Sequence, residues 1–305
     1  MNTSVNNPDV EPIEVKIKKQ TDIALAKLNF HKLNNLHLAR PVIFVPGWAD
    51  ESCGWWQNPF QGIQCVKQWI QQVVDNPDLV EFVNFGVESP QCESFLNFGK
   101  ILKSRILALN LENQSFDLVG HSMGGLDIRA ALIFDEPVLN CINCITADAP
   151  HQGDIGGKFL ELAQERDPSK VANYYTPYQV VQAQNMYPSS GPMQLINSSE
   201  NRQLFLNRVS KFTQLKGTRD WMVGDSCFMD PAGLKFPKEK IQYFSAEGCE
   251  HVWTKGITLD IRVILTILYT LVDFDIPGME NQGNLPGGND VPVDDRQIFI
   301  DLTEY

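Results

Sequence analysis

Short apolar runs alternate with longer amphipathic segments along most of the chain. Each run is bounded by turn residues and has the length of a strand that is buried on both faces. The segments between the runs have apolar residues three and four positions apart, as helices do. The runs lie at 41–47, 79–86, 116–120, 141–147, 212–217 and 241–248, and the helical segments at 64–74, 94–109, 126–134 and 259–272. This alternation predicts an α/β fold with a mostly parallel sheet and helices on both faces.

Three regions depart from the alternation. Residues 152–208 are too long for a plain connection and have helical periodicity of their own, which predicts a helical cap or lid inserted into the core. Residues 277–305 begin with a segment rich in glycine, proline, asparagine and aspartate, which is typical of a mobile tail. Residues 1–30 form a polar N-terminal extension, so the α/β core is expected at 31–151 and 209–276.

Composition narrows the possible partners. The chain has 305 residues, of which 43% are hydrophobic, and a formal net charge of -12. A surface this acidic repels phosphate backbones, so nucleic acid is not expected as a partner. The longest apolar stretch near the C-terminus, 263–272, is far shorter than the roughly 20 residues that span a bilayer. The N-terminus lacks the apolar core of a signal peptide. We therefore expect a protein without an integral membrane segment, and the oligomeric state stays open.

The cysteines indicate a reducing compartment. There are seven, an odd number, and their spacing fits no disulfide framework, which favours free thiols and a cytoplasmic location. The CxxC from Cys141 to Cys144 lies in a predicted buried strand without a second pair. Core packing is favoured there over a metal site, and no metal or cofactor is expected in the chain.

The stretch "FDLVGHSMGGLDIRAAL" carries the strongest chemical signal. Its centre reads Gly120-His121-Ser122-Met123-Gly124, the pattern G-x-S-x-G, between a predicted strand and a predicted helix. A serine hydroxyl needs a base to take its proton and donors to stabilise the oxyanion that forms after attack. A sharp turn at this point exposes the hydroxyl and requires small neighbours two residues away on each side. The pattern therefore predicts that Ser122 is a catalytic nucleophile.

Beyond this motif the chain resembles the α/β-hydrolases, specifically the lipase and esterase group. The segments "PVIFVPGWAD", "ITADAPHQG" and "LKGTRDWMVGDS" resemble the oxyanion-loop strand, the segment after the next strand, and the acid-bearing turn of that group. The motifs occur in the family's order from about residue 40 to residue 273. Two positions depart from the family pattern. Pro46 stands where many members have histidine, and Asp148 stands where glycine is more usual, which adds a carboxylate near the site.

The general base is identified by elimination among five histidines. His31 and His37 precede the first core strand, and His121 lies inside the elbow. His251 follows the last strand, which fits the order serine, acid, histidine that this fold uses. His251 is therefore the predicted base, and His151 is the reserve that more naturally shapes its loop.

The acid must lie between Ser122 and His251, in a turn at the end of a strand, where it can fix the imidazole tautomer. Asp220 ranks first because it follows the strand "FTQLKG" at the expected distance. Asp148 ranks second because it ends the preceding strand, and a neighbouring strand end can supply an acid to the same histidine. Asp225 and Asp230 also compete.

The oxyanion donors are expected to be backbone N–H groups of Met123 and, by resemblance, Trp48. Trp55 and Trp56 follow the oxyanion loop and are either core or part of an apolar wall for an acyl chain. The cap region adds Tyr187 and Met193 to the candidate wall.

The resulting hypothesis is a serine hydrolase that cleaves carboxylic esters, with lipophilic acyl esters favoured, through an acyl-enzyme intermediate. Its expected partner is a small-molecule or lipid ester substrate. An acyltransferase, a thioesterase or a peptidase on the same fold stays open, because nucleophile and base do not specify the acyl acceptor. A catalytically silent binding protein of the same shape is the further alternative.

Overall fold

The computed structural model describes residues 35–48, 55, 65–85, 91–134, 136–154, 160, 165–166, 168–173, 175–220, 222–229, 241–246, 248–251 and 256–273. The predicted N-terminal extension and C-terminal tail lie outside these residues.

Six strands form one sheet in the described part of the chain, and each corresponds to a predicted apolar run. They are β1 (Val42–Val45), β2 (Val80–Phe82), β3 (Ser115–His121), β4 (Asn140–Ala147), β5 (Val209–Gly217) and β6 (Ile241–Ala246). Their spatial order is β2-β1-β3-β4-β5-β6, and every neighbouring pair is parallel. The predicted parallel sheet is confirmed, and all the strands end at one edge, where ligands bind in such sheets.

Helices lie between strands and after β6, as the periodicity predicts. They are α1 (Val66–Val73), α2 (Phe95–Ala108), α3 (Met123–Ile133), α4 (Pro168–Ala172), α5 (Pro177–Asn185), α6 (Gly191–Ile196), α7 (Ser199–Asn207) and α8 (Ile261–Leu271). Short 3₁₀ turns occupy Pro77–Leu79, Gly224–Cys227 and Ile257–Leu259. None of these helices is long and apolar enough to cross a bilayer.

Most of these helices have an N-cap residue whose side-chain oxygen accepts a hydrogen bond. The donor is a backbone N–H of the first turn, which would otherwise lack a partner. The capping residues are Ser94 of α2, Thr176 of α5, Ser190 of α6, Ser198 of α7 and Asp260 of α8. Thr176 forms a capping box with Gln179, so α5 has a fixed start.

The core has two parts, one on each face of the sheet. Alternate residues of a strand point to opposite faces, and accordingly Ile43 and Val45 belong to one cluster while Val42 and Phe44 belong to the other. The first cluster holds buried residues of α2 and α3, and the second holds those of α1 and α8. Burial on both faces explains why the strands read as continuous apolar runs.

The helices between β4 and β5 share the first of these clusters. Met193, Ile196 and Phe205 are fully buried in it, and the Phe205 ring packs edge-on against Phe212 of β5 at 5.0 Å. The buried guanidinium of Arg129 in α3 donates a hydrogen bond to the Ile196 carbonyl at 2.9 Å. This helical segment therefore completes the main core, and its removal would expose the apolar surface of α3 and β5.

Candidate active site

Ser122 lies at the turn that joins β3 to α3. Its backbone has φ 52° and ψ -128°, a conformation that a residue other than glycine adopts only under strain, and its N–H donates to the Ala147 carbonyl at 2.9 Å. A β-carbon at Gly124 would lie 2.3 Å from the Pro46 carbonyl oxygen, and one at Gly120 would lie 2.8 Å from the Gly124 carbonyl carbon. Both glycines are therefore needed for close packing, as the elbow pattern requires.

Two hydrogen bonds connect Ser122 to a histidine and an acid from other strand ends. Ser122 Oγ lies 2.8 Å from Nε2 of His251, which follows β6. Nδ1 of His251 lies 2.9 Å from Oδ2 of Asp220, which follows β5. All three side chains are nearly excluded from solvent. The structure thus brings together the predicted nucleophile, base and acid in the arrangement of a catalytic triad.

Asp220 and His251 shift one another's pKa values in opposite directions. Burial alone would raise the pKa of Asp220, but the hydrogen bond and charge of His251 and the N–H groups of Met222 and Val223 lower it. Burial alone would lower the pKa of His251, but the hydrogen bond and charge of Asp220 raise it above the usual value. These directions favour an ionised Asp220 beside the His251 ring.

Asp148, the second-ranked acid, occupies a different position. It follows β4 with φ 45°, and its Oδ1 accepts a hydrogen bond from the Gly217 N–H at 2.7 Å. Three potential metal-ligand atoms lie within 4.8 Å of one another, one each from Asp148, Asp220 and His251. This spacing also suits a metal ion. Both His251 nitrogens are, however, engaged by Ser122 and Asp220. Asp220, and not Asp148, contacts His251 directly through a hydrogen bond.

His121 contributes a contact that the sequence did not indicate. Its Nε2 donates to the backbone carbonyl of His251 at 3.1 Å, and the two rings lie 4.9 Å apart. Burial and the neighbouring His251 lower the pKa of His121 to about 3, so its ring is neutral. Its hydrogen bond holds the backbone at His251. His151 is also buried, and its Nε2 is hydrogen-bonded to Thr146 Oγ1 at 2.9 Å. That contact fits the loop-shaping role considered for His151.

The two expected oxyanion donors flank Ser122. Met123 is the first residue of α3, where backbone N–H groups lack helical partners. Trp48 follows Gly47, at which a β-carbon would lie 2.9 Å from the Ser122 β-carbon, so this loop packs against Ser122. The Trp48 indole N–H donates to the Gln179 carbonyl of α5 at 2.8 Å, and its ring stacks on Tyr175 at 5.0 Å.

The expected acyl wall differs from the structure in part. Trp55 is fully buried, donates its indole N–H to the Val45 carbonyl at 3.0 Å and packs against Phe44 and His121. Trp55 therefore occupies a core position, which the sequence analysis gave as the alternative to an apolar wall for an acyl chain. Met193 is likewise fully buried, Tyr187 is half-buried, and Trp56 lies outside the described residues.

The chain matches the sequence profile of a known family. The sequence profile of the palmitoyl protein thioesterase family matches residues 41–211, more than half of the chain. This range includes Ser122 and the oxyanion loop but ends before Asp220 and His251. No curated protein sequence matches the chain significantly.

Solved structures show the same fold at low sequence identity. Phospholipase PlaB from Legionella pneumophila has a TM-score of 0.55 and 13% identity, with 76% of this chain and 60% of that chain covered. Lipase BlEst2 from Bacillus licheniformis in its propeptide form has a TM-score of 0.52 and 16% identity, with 75% of this chain and 50% of that chain covered. The match thus spans only part of each neighbour's length. At these identities the likeness shows a shared fold alone.

Proposed function

The chain belongs to the palmitoyl protein thioesterase family of α/β-hydrolases, and from this premise we propose that it is a serine hydrolase that cleaves lipophilic acyl esters through an acyl-enzyme intermediate. The observation that carries the proposal is the continuous hydrogen-bonded series from Ser122 through His251 to Asp220, with distances of 2.8 and 2.9 Å. A strained elbow and a buried, ionised acid are what a nucleophilic serine needs.

The reaction follows from these contacts. His251 Nε2 takes the Ser122 hydroxyl proton as Oγ attacks the acyl carbonyl carbon, and Asp220 stabilises the imidazolium. The Met123 and Trp48 N–H groups stabilise the oxyanion. When the tetrahedral intermediate collapses, His251 gives the proton to the leaving oxygen or sulfur, and the acyl group stays on Ser122. Water, deprotonated by His251, then attacks the acyl carbonyl carbon. As the bond from that carbon to Ser122 Oγ breaks, His251 returns the proton to Oγ and the carboxylic acid is released.

The acyl chain is proposed to lie against the half-buried aromatic side chains beside the oxyanion loop. Trp48 and Tyr175 stack on one another and join that loop to the segment before α5. Tyr187, after α5, is half-buried as well. Met193 belongs to the core cluster against which Trp48 packs, and its side chain is fully buried. Each acyl methylene buried there contributes about 0.8 kcal/mol, which favours longer chains over acetate.

Acyl thioesters are the second candidate substrate class, and the family match favours them. Ser122 and His251 do not distinguish the two leaving groups, since a thiolate leaves more readily than an alkoxide and needs less help from His251. The distinction therefore rests on the surface that receives the leaving group.

A paired substrate series tests the proposal. Esters and thioesters of the same acyl groups, from acetyl to palmitoyl, are compared by kcat/KM with EDTA present. We expect hydrolysis that rises with chain length, tolerates EDTA and falls by at least about 10³-fold in Ser122→Ala. Thioesters of one acyl group with thiols of increasing size extend the series, and a kcat/KM that rises with the size of the thiol would favour the thioester assignment. Absence of hydrolysis on every member, or full activity of Ser122→Ala, would contradict the proposed function.

A further inference from the structure

Asp148 is a buried carboxylic acid beside the triad that the reaction above does not use. It is completely shielded from solvent, and its Oδ1 accepts the Gly217 N–H at 2.7 Å. No hydrogen-bond donor in the described part of the chain reaches its other oxygen, Oδ2. A buried carboxylate oxygen without a donor is unfavourable because nothing replaces its hydration, so the arrangement needs an explanation.

A second carboxyl group lies beside that of Asp148. The carboxyl of Asp148 lies within hydrogen-bonding reach of that of Asp220, and both lie within 4.8 Å of His251. The packing around Oδ2 leaves no room for a side chain, because a β-carbon at Gly217 would lie 3.0 Å from it and 2.7 Å from the Cys249 carbonyl. Two buried carboxyl groups this close share a proton, since both cannot ionise at once.

We propose that Asp148 is a positioning residue that holds a proton and donates a hydrogen bond from Oδ2 to Asp220. The inference rests on the proposed function of the Ser122, His251 and Asp220 series. In this arrangement Asp220 accepts two backbone N–H groups, the His251 ring N–H and the Asp148 hydroxyl. The added donor weakens the basicity of Asp220 and thereby keeps the pKa of His251 lower than Asp220 alone would set it.

The groups that face Asp148 favour the protonated form. Burial first, and then the negative charge of Asp220, raise the pKa of the Asp148 carboxyl, while His251 and the Gly217 N–H act in the opposite direction. The Cys249 thiol, whose pKa is raised by burial and by Asp260, adds no cation. Asp220 is the partner that ionises, because His251 and two N–H groups lower its pKa against the effect of burial.

Two substitutions separate this role from packing. Asp148→Asn keeps an acceptor for Gly217 and supplies an amide N–H to Asp220, so it imitates the protonated acid, and asparagine tolerates a positive φ. Asp148→Ala removes the donor to Asp220. The full-length wild type and both variants are compared by histidine-selective NMR titration, with the His251 signal assigned by its loss in His251→Gln, and by the pH dependence of kcat/KM.

We expect the His251 pKa and the acid limb of kcat/KM to be unchanged in Asp148→Asn. In Asp148→Ala both should move to higher pH, by up to about one unit, the size of one lost hydrogen bond. The proposal would be overturned if the His251 pKa were the same in the two variants. It would also be overturned if the His251 pKa fell in Asp148→Asn. The NMR titration needs no turnover, so it also decides the matter if the substrate series fails, and loss of hydrolysis in Ser122→Ala tests the proposed function separately. Thermal unfolding of both variants establishes that they are folded.

Discussion

At the scale of single residues, environment assigns different roles to similar side chains. Asp220 and Asp148 both follow strands at the same sheet edge, but Asp220 hydrogen-bonds His251 and Asp148 hydrogen-bonds Gly217. The sequence could rank these acids but could not separate them, because parallel neighbours bring both strand ends to one place. The support of His251 by His121 had no sequence signal, because it depends on a backbone carbonyl 130 positions away.

Replacement by asparagine should affect kcat differently at Asp220 and at Asp148. Asp220→Asn should lower kcat on the order of 10⁴-fold with little change in KM, because the wrong His251 tautomer is favoured. Asp148→Asn should lower kcat by less than about tenfold, because Asp148 acts only through Asp220. Steady-state kinetics on one medium-chain ester measures both. A larger loss from Asp148→Asn would mean that Asp148 is the acid.

Asp148 should also give stability a specific pH dependence. The pKa of this carboxyl rises from about 3.9 in the unfolded chain to about 8 in the folded protein. A pKa that is higher in the folded than in the unfolded state contributes stability. This contribution is fully present below the unfolded pKa and is lost as the pH rises through the folded pKa. The free energy of unfolding of Asp148→Asn minus that of wild type should therefore grow between pH 4 and pH 8. Urea denaturation across this range measures it, and a constant difference would contradict the assignment.

At the scale of secondary structure, apolar periodicity predicted every strand of the described sheet, because burial on both faces leaves an unambiguous pattern. Boundaries were less well predicted. α3 begins at Met123, ahead of the predicted 126. Its first turn contains Gly124 and Gly125, which pack closely against the Pro46 carbonyl and the Ala149 side chain. β5 begins at Val209, ahead of the predicted 212. In that stretch polar residues interrupt the apolar run, and strand pairing with β4 decides the conformation.

Gly124→Ala tests the close packing of the elbow. Its new methyl group would lie 2.3 Å from the Pro46 carbonyl oxygen and 2.7 Å from that of Val45, both backbone atoms. The free energy of unfolding should fall by about 1–3 kcal/mol or more. Gly191→Ala in α6 is the matched control, because nothing lies within 4 Å of its new methyl group, and it should change stability by about 0.5 kcal/mol or less. Equal effects of the two substitutions in urea denaturation would argue against a crowded elbow.

The contact between the oxyanion loop and α5 should influence catalysis. Trp48→Phe keeps a ring against Tyr175 but removes the indole N–H that bonds Gln179. We expect kcat/KM to fall by up to about tenfold, the value of one hydrogen bond, with little change in unfolding temperature. Trp69→Phe makes the same chemical change in α1, which packs in the cluster on the other face of the sheet. A similar loss in Trp69→Phe would show that the effect is not specific to the loop.

At the scale of the whole molecule, the α/β-hydrolase fold was predictable because its signature is spread over the chain. The elbow, the alternation of elements and the order Ser122, Asp220, His251 all agree with that fold. What the sequence left open depends on tertiary packing. Trp55 lies in an apolar neighbourhood whether it packs in the core or lines a pocket, and its burial decides for the core. The cytoplasmic location and the lid role of residues 152–208 stay predictions.

The central claim is that Ser122 carries an acyl group during turnover. The most direct measurement is mass spectrometry of full-length protein quenched early in the hydrolysis of a slowly deacylated p-nitrophenyl ester, followed by peptide mapping. The account predicts an adduct with the mass of the acyl group on the peptide that contains Ser122, and no adduct on that peptide in Ser122→Ala. His251→Gln should form it far more slowly. An adduct that maps to any other residue, or one that persists fully in Ser122→Ala, would contradict the account.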